Sequence, residues 1–179
     1  MNSYGKKGNS YVIGKECRGL RTGISRKKDL LICGGKIECI QDSIGELPVE
    51  CEILDAEGKI LTPGFLDQHV HITGGGGEGS FHTRTPELQM SELVENGITT
   101  VVGLLGTDGI TRSVDNLYAK TRVLCEEGVS AYMLTGAYGY PSPTLTGEID
   151  RDIVFVKEIL GVKLAISDHR APNVTEDQL

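Results

Sequence analysis

His69 and His71 lie two positions apart at the end of an apolar run, and four glycines and an acid, Gly74-Gly75-Gly76-Gly77-Glu78, follow almost at once. In an extended strand alternate side chains share a face, so both imidazoles point the same way, roughly 6.6 Å apart along the backbone. Ring nitrogens so placed can ligate one cation at about 2.0–2.1 Å. The pair is therefore read as a metal site. The plainer alternative is a strand that carries two half-buried histidines. Context favours the metal, because the strand enters through Pro63-Gly64 and opens into a glycine loop whose backbone can approach a ligand closely. That loop has its own plain alternative, a floppy turn.

A chain of 179 residues suffices for one ordinary domain, or for a small domain and part of a larger one, but not for a complete large barrel. Hydrophobic residues make up 39% and tryptophan is missing, a composition expected of a soluble chain. The longest apolar stretch, Val101-Val102-Gly103-Leu104-Leu105, is far too short to span a bilayer. Residues 1–10 are polar and rich in glycine, without the apolar segment of a secretory signal. A cytoplasmic protein without a membrane partner is expected. The five cysteines, Cys17, Cys33, Cys39, Cys51 and Cys125, form an odd set with no Cys-x-x-Cys pair, which argues against a disulfide framework and a zinc ribbon. They are read as reduced, mostly structural thiols. A net charge of −7 disfavours nucleic acid, whose binding rests on phosphate neutralisation. The small basic cluster Arg26-Lys27-Lys28 is expected to be a solvated turn.

The histidines need elements to hold them. Residues 1–62 read as a small β-sheet domain, with short strands expected at 11–17, 29–33, 36–41, 51–55 and 59–61 and turns at Gly34-Gly35 and Glu57-Gly58. From Pro63 the rhythm changes, as apolar runs of strand length alternate with amphipathic stretches of helical period. That is the pattern of βα units around a parallel sheet. The first strand is expected at 64–72, and its helix from an N-cap at Thr85, with Pro86 at the first helical position, to Glu95 before Asn96-Gly97. A second strand at 99–105 precedes a helix from Ser113 to Glu127, whose Leu117, Lys120, Thr121 and Leu124 share one face and which Gly128 stops. A third strand at 130–137, a helix at 149–160 and a fourth strand at 162–167 complete the series, with a polar stretch at 168–175. The fold class is α/β: a partial (β/α)8 TIM-type barrel of four βα units over 63–179, preceded by a small β-sandwich-like domain. Half a barrel leaves two strand edges open, an aggregation hazard unless something completes it.

In such barrels functional groups sit at the carboxyl ends of the strands. The first strand delivers His69, His71 and the loop through Glu78; the second, Thr107 and Asp108; the third, Tyr138. The fourth carries Lys163 and delivers Asp168, His169 and Arg170.

The run Pro63-Gly64-Phe65-Leu66-Asp67-Gln68-His69-Val70-His71 resembles the first-strand signature of the amidohydrolase superfamily of metal-dependent hydrolases. The stretch from His69 to Glu78, with its four glycines, narrows the resemblance to members that cleave β-aspartyl dipeptides, together with Val102-Gly103-Leu104-Leu105-Gly106-Thr107-Asp108, Leu134-Thr135-Gly136-Ala137-Tyr138 and Gly161-Val162-Lys163-Leu164-Ala165-Ile166-Ser167-Asp168-His169-Arg170. It covers nearly the whole chain, as the N-terminal half of such a protein. The resemblance implies two zinc ions, with His69 and His71 on the more buried one and Lys163, carbamylated by carbon dioxide, bridging both. An amine inside an apolar strand has its charged form disfavoured, which leaves more of it neutral and able to attack carbon dioxide. Its alternative is a lysine that snorkels to the strand end.

The resemblance further implies that a hydroxide shared by two zinc ions roughly 3.5–4 Å apart attacks the amide carbon. Tyr138 would donate its phenol to the developing oxyanion. Glu78 would meet the free α-ammonium of a dipeptide, Arg170 would pair with a carboxylate through its planar fork, and Thr107 and the backbone at Gly76 would add hydrogen bonds. Each has a bland alternative: a tyrosine packed at a strand end, a solvated loop acid, a surface ion pair of Arg170 with Asp168 or Glu176. His82 and His169 match no ligand position and are read as non-ligands.

Two further histidine ligands and a metal-bound aspartate that the resemblance calls for, from later strands, have no counterpart here. Catalytic zinc keeps at least three protein ligands, so the chain by itself is expected to be inactive or nearly so. A cyclic-amide hydrolase of dihydroorotase or hydantoinase type shares the first-strand signature and the lysine, and is the second reading; Glu78 and Tyr138 argue against it. A catalytically inactive half barrel is the third. The resemblance also implies a homo-oligomer.

Overall fold

The computed structural model describes residues 11–19, 27–172 and 174–178. Arg26 of the basic cluster and Asn173 of the polar stretch lie outside them. The chain divides into two compact units, Met1–Pro63 and Gly64–Leu179.

The first unit holds β1 (Tyr11–Gly19), β2 (Lys27–Cys33), β3 (Lys36–Gln41), β4 (Cys51–Asp55) and β5 (Ile60–Leu61). These form one mixed sheet in the order β3-β2-β1-β4, with β5 on β1. Gly34 and Gly35 turn β2 into β3 with φ of 56° and 79°, the left-handed pair that tight hairpins require. Strand β1 bulges between Gly14 and Cys17, where Glu16 adopts a φ of 56°. Asp29 secures that bulge: it is almost fully buried and accepts from Glu16 N (3.1 Å), Ile44 N (2.8 Å) and Lys15 Nζ (2.7 Å). Burial pushes its carboxyl up, but those bonds outweigh burial and hold it below the usual range. Lys27 and Lys28 are not a solvated turn. They open β2, and Lys27 pairs with Glu16 and Glu57 while Lys28 pairs with Asp42.

The second unit is a four-stranded parallel sheet in the order β6-β7-β8-β9, the first four βα units of a (β/α)8 barrel. Its elements are β6 (Phe65–Val70), α1 (Met90–Glu95), β7 (Ile98–Gly103), α2 (Val114–Glu127), β8 (Ser130–Gly136), α3 (Ile149–Phe155) and β9 (Ile159–Lys163). The core lies where α2 covers the sheet. Val114, Leu117, Thr121 and Leu124 line its buried face and meet Val101, Ala131 and Met133. Burying a leucine such as Leu117 stabilises by about 1.5–3 kcal/mol. Ser113 caps the helix by accepting from Asn116 N (3.2 Å), and Gly128 ends it at φ 102°. Among the described strands β6 and β9 are the sheet margins, and Phe65, Leu66 and Leu160 on them are exposed.

Three elements differ from expectation. The first helix begins at Met90, not after Thr85, because Thr85 N donates to Gly75 O (2.9 Å), Thr85 Oγ1 accepts from Gly75 N (2.7 Å) and Leu88 N donates to Ile72 O (3.1 Å). Residues 85–88 thus lie extended along the glycine loop. The fourth strand begins at Ile159 and the helix before it stops at Phe155, since Val156 is extended and Glu158 is buried, paired with Arg122, its carbonyl accepting from Met133 N (2.7 Å). Lys163 is consequently the last residue of β9, half-buried, and not in mid-strand. All five cysteines are free. No described helix is long and apolar enough to cross a membrane.

Candidate active site

The carboxyl ends of β6 to β9 converge on one side of the second unit, and the loops leaving them build the site. His69 is exposed on β6, and His71 lies half-buried just past its end. Their ring centroids are 5.6 Å apart and the planes cross at 79°. In the tautomer protonated at Nδ1, His71 donates to Leu104 O (3.1 Å), which leaves the Nε2 lone pair for a ligand. Burial holds its pKa below the ordinary histidine value; the Leu104 bond opposes that shift, and the charges of His69, Lys163 and Arg112 add to it. Neutral imidazole is the form that ligates. Gly106 makes room for the ring: a Cβ there would stand 2.9 Å from His71 Cε1.

A cavity of about 170 Å³ opens beside His71 and brings together Gly76, Glu78, Thr107, Tyr138 and Arg170. Of the eight residues singled out from the sequence, six share its walls. His69 and Lys163 do not line it, although the Lys163 ammonium lies 5.3 Å from the centre of the Tyr138 ring. The glycine loop reaches the cavity because it lacks side chains: Gly76 has φ 71°, and a Cβ on it would stand 2.4 Å from Thr83 O. Tyr138 follows β8, and its backbone N–H donates to Gly106 O (3.3 Å).

Arg170 is the electrostatic centre of the wall. Its Nε and Nη2 donate to Asp168 Oδ1 (2.8 Å) and Oδ2 (2.7 Å), while Nη1 pairs with Glu78 Oε1 (2.5 Å) and its carbon lies 5.4 Å from the Tyr138 ring centre. The ion pair with Asp168 therefore exists together with a place in the cavity. Hydrogen bonding within the cluster drives the Asp168 carboxyl well below the usual range and the Arg170 guanidinium above its own. Glu78 is a partnered wall residue, although its side chain stays half exposed. Of the other histidines, His82 sits in the short turn Phe81–Thr83 bonded to Ser80, and His169 is exposed beside Asp168.

Among the described residues no group of three or more histidine, cysteine, aspartate or glutamate side chains could hold a metal ion. The donors on hand are two imidazoles and the Lys163 amine. With a free Nε2 on a neutral His71 they fit part of a zinc ligand set, one protein donor short of three unless Lys163 joins. Sequence reading gave no role to Asp108 and missed Arg112, which also border the cavity. A signal was present: an acid and an arginine at i,i+4 directly after a barrel strand.

No family model matches the chain. The crystal structure of β-aspartyl dipeptidase from Fervidobacterium islandicum AW-1, in complex with β-Asp-Leu, superposes with TM-score 0.88 at 46% identity over 97% of this chain. The chain is similar to β-aspartyl dipeptidase. It spans 46% of that solved chain, as the N-terminal half of such a dipeptidase would. A dihydroorotase of Staphylococcus epidermidis is 33% identical over 98 residues, 55% of this chain and 22% of its own. L-Hydantoinase from Arthrobacter aurescens, 22% identical with TM-score 0.58 over 96% of this chain and 37% of its own, shares the fold. The relatives of the dipeptidase-like chain are thus hydrolases, and the amidohydrolase resemblance read from the sequence stands.

Proposed function

We propose that this chain supplies part of the active site of a zinc-dependent enzyme that hydrolyses β-aspartyl (isoaspartyl) dipeptides. The observation that carries the reading is the Glu78–Arg170 ion pair, 2.5 Å, on the wall of a cavity beside His71. A dipeptide with a free α-ammonium and a carboxylate can exchange both charges against that pair. The solved relative that holds β-Asp-Leu supports the substrate class.

His69, His71 and Lys163 as its carbamate would hold the zinc, which when bound lowers the pKa of water toward neutrality and polarises a carbonyl. The chain's own groups do the rest. Glu78 accepts from the ammonium and Arg170 donates to a carboxylate, so neighbouring charged groups of the dipeptide are held side by side. Tyr138 donates its phenolic proton as a hydrogen bond to the oxygen on which charge develops. The Thr107 hydroxyl and the Gly76 backbone fix the remaining polar atoms. Alone, the chain is expected to turn over slowly or not at all, since its donors fall short of a full ligand set.

The dihydroorotase relatives favour a second reading, a cyclic-amide hydrolase. Dihydroorotate offers a carboxylate to Arg170 but no ammonium to Glu78. The test is calorimetric titration of the zinc-supplemented chain with β-Asp-Leu and with dihydroorotate, alongside hydrolysis assays on both. β-Asp-Leu is expected to bind the more tightly, and Glu78→Gln to abolish that preference. Preference for dihydroorotate would overturn the dipeptide reading. Binding of neither metal nor ligand would leave a catalytically inactive half barrel.

A further inference from the structure

Arg112 is buried at 5% exposure immediately before the Ser113 cap of α2, and its guanidinium spends its donors on two other segments. Nε donates to Thr73 O (3.0 Å), Nη2 to Thr85 O (2.9 Å), and Nη1 lies 3.4 Å from Asp108 Oδ2. Thr73 and Thr85 bracket the segment that contains Gly74 to Gly77 and Glu78. That segment has little else to fix it. Glycine backbone carries a high ordering cost, and the large apolar side chain at its far end, Phe81, is 81% exposed. The described anchors are polar: the Gly75–Thr85 pairing, a Gly74 N to His71 O bond of 2.8 Å, the Glu78–Arg170 ion pair, and Arg112.

The third arm of Arg112 is equally fixed. Asp108 accepts from Thr111 N (2.8 Å), Ile110 N (3.2 Å) and Thr111 Oγ1. Burial pushes its carboxyl up, and these bonds bring it below the usual range, so it stays ionised opposite the guanidinium. Thr107, on the cavity wall, is its neighbour in sequence. One side chain thus joins the start of a packed helix to both ends of the glycine loop and to the turn after β7.

We infer that Arg112 is a positioning residue that sets the glycine loop against the Asp108 turn and so places Glu78 for the ammonium of a ligand. The ligand half of this statement rests on the dipeptide reading. A planar fork is required, because an ammonium carries its three donors on one nitrogen, whereas these acceptors are spread around Nε, Nη1 and Nη2.

The test uses the chain with Arg112→Lys, which keeps the charge, and Arg112→Ala with and without millimolar guanidinium. Amide hydrogen exchange at Gly75 and Thr85 is expected to quicken about tenfold or more in both, with Met133 in β8 unchanged, and guanidinium is expected to restore protection in Arg112→Ala. Affinity for β-Asp-Leu should fall about tenfold in Arg112→Lys, the scale of one misplaced charge-assisted bond. Unchanged exchange in Arg112→Lys overturns the inference, as does faster exchange with undiminished affinity. Should Arg112→Ala fail to fold, Arg112→Lys decides alone. A parent chain that binds no β-Asp-Leu sinks the dipeptide reading by itself, and the exchange measurement, which needs no ligand, still decides whether Arg112 holds the loop.

Discussion

Two groups of residues at the carboxyl end of the sheet, one holding the loops and one offering ligand donors, are built differently. On the loop side, Arg112, Asp108 and Asp152 are charged groups that fasten backbone carbonyls and amides from distant parts of the chain. On the donor side, His69 is exposed, Lys163 ends a marginal strand, and only His71 is held by a hydrogen bond, to Leu104. The loops that would recognise a substrate are therefore set within these residues. The groups proposed as metal donors are held far less firmly.

The contrast breaks most severely at Asp152. This fully buried carboxylate accepts from Thr135 Oγ1 (2.5 Å), Leu145 N (2.8 Å), Thr146 N (2.7 Å) and Thr146 Oγ1 (2.7 Å), and so ties down the loop that begins with Tyr138. Asp152→Ala strands those donors without partners and is expected to cost about 3 kcal/mol or more in urea unfolding. A loss below about 1 kcal/mol would mean the loop is not held this way. On the donor side, Gly106→Ala sets a methyl against His71 and should weaken zinc binding about tenfold or more, measured by competition with a chromophoric chelator, with little change in melting temperature. Equal zinc affinity would show that the ring has room to move.

Acid sharpens the comparison further. Asp108 and Asp152 are held below the usual carboxylate range in the folded chain, mainly because hydrogen bonds outweigh the effect of burial. Their contribution is full above a pH of about 4 and drains away as the pH falls through the lowered folded values. Exchange protection in the two loops should fall in that window, and an Asp108→Asn, Asp152→Asn double variant should flatten the dependence. The smallest structural effect is expected at Glu78. Its pairing with Arg170 is half exposed, so Glu78→Gln should leave thermal unfolding nearly unmoved while β-Asp-Leu binding collapses. A large drop in melting temperature would recast Glu78 as a structural residue.

Much of the second unit could be read from local pattern. The βα alternation, the helix start near Ser113 and the Gly128 stop depend on residues close in sequence, and each appears where expected. What escaped depends on partners far away. Thr85-Pro86 has the form of a helix start, yet the donor and hydroxyl of Thr85 are claimed by Gly75, ten positions earlier. Ile159 continues a helical apolar rhythm, but the burial of Glu158 against Arg122 turns the chain into the sheet first. Arg112 reads as an ordinary residue ahead of a helix. Its acceptors lie 39 and 27 positions earlier, and nothing in the local sequence announces carbonyls.

Strands β6 and β9 each have one hydrogen-bonded neighbour among the described strands. Their outer flanks consequently present rows of peptide groups still seeking mates, bordered by the bare aromatic and aliphatic surface of Phe65, Leu66 and Leu160. Such a surface zips onto whatever extended polypeptide it meets. Kept at high concentration by itself, this chain would coalesce edge to edge, and a tag or co-expressed segment able to cap both flanks would do more for its handling than any change of buffer.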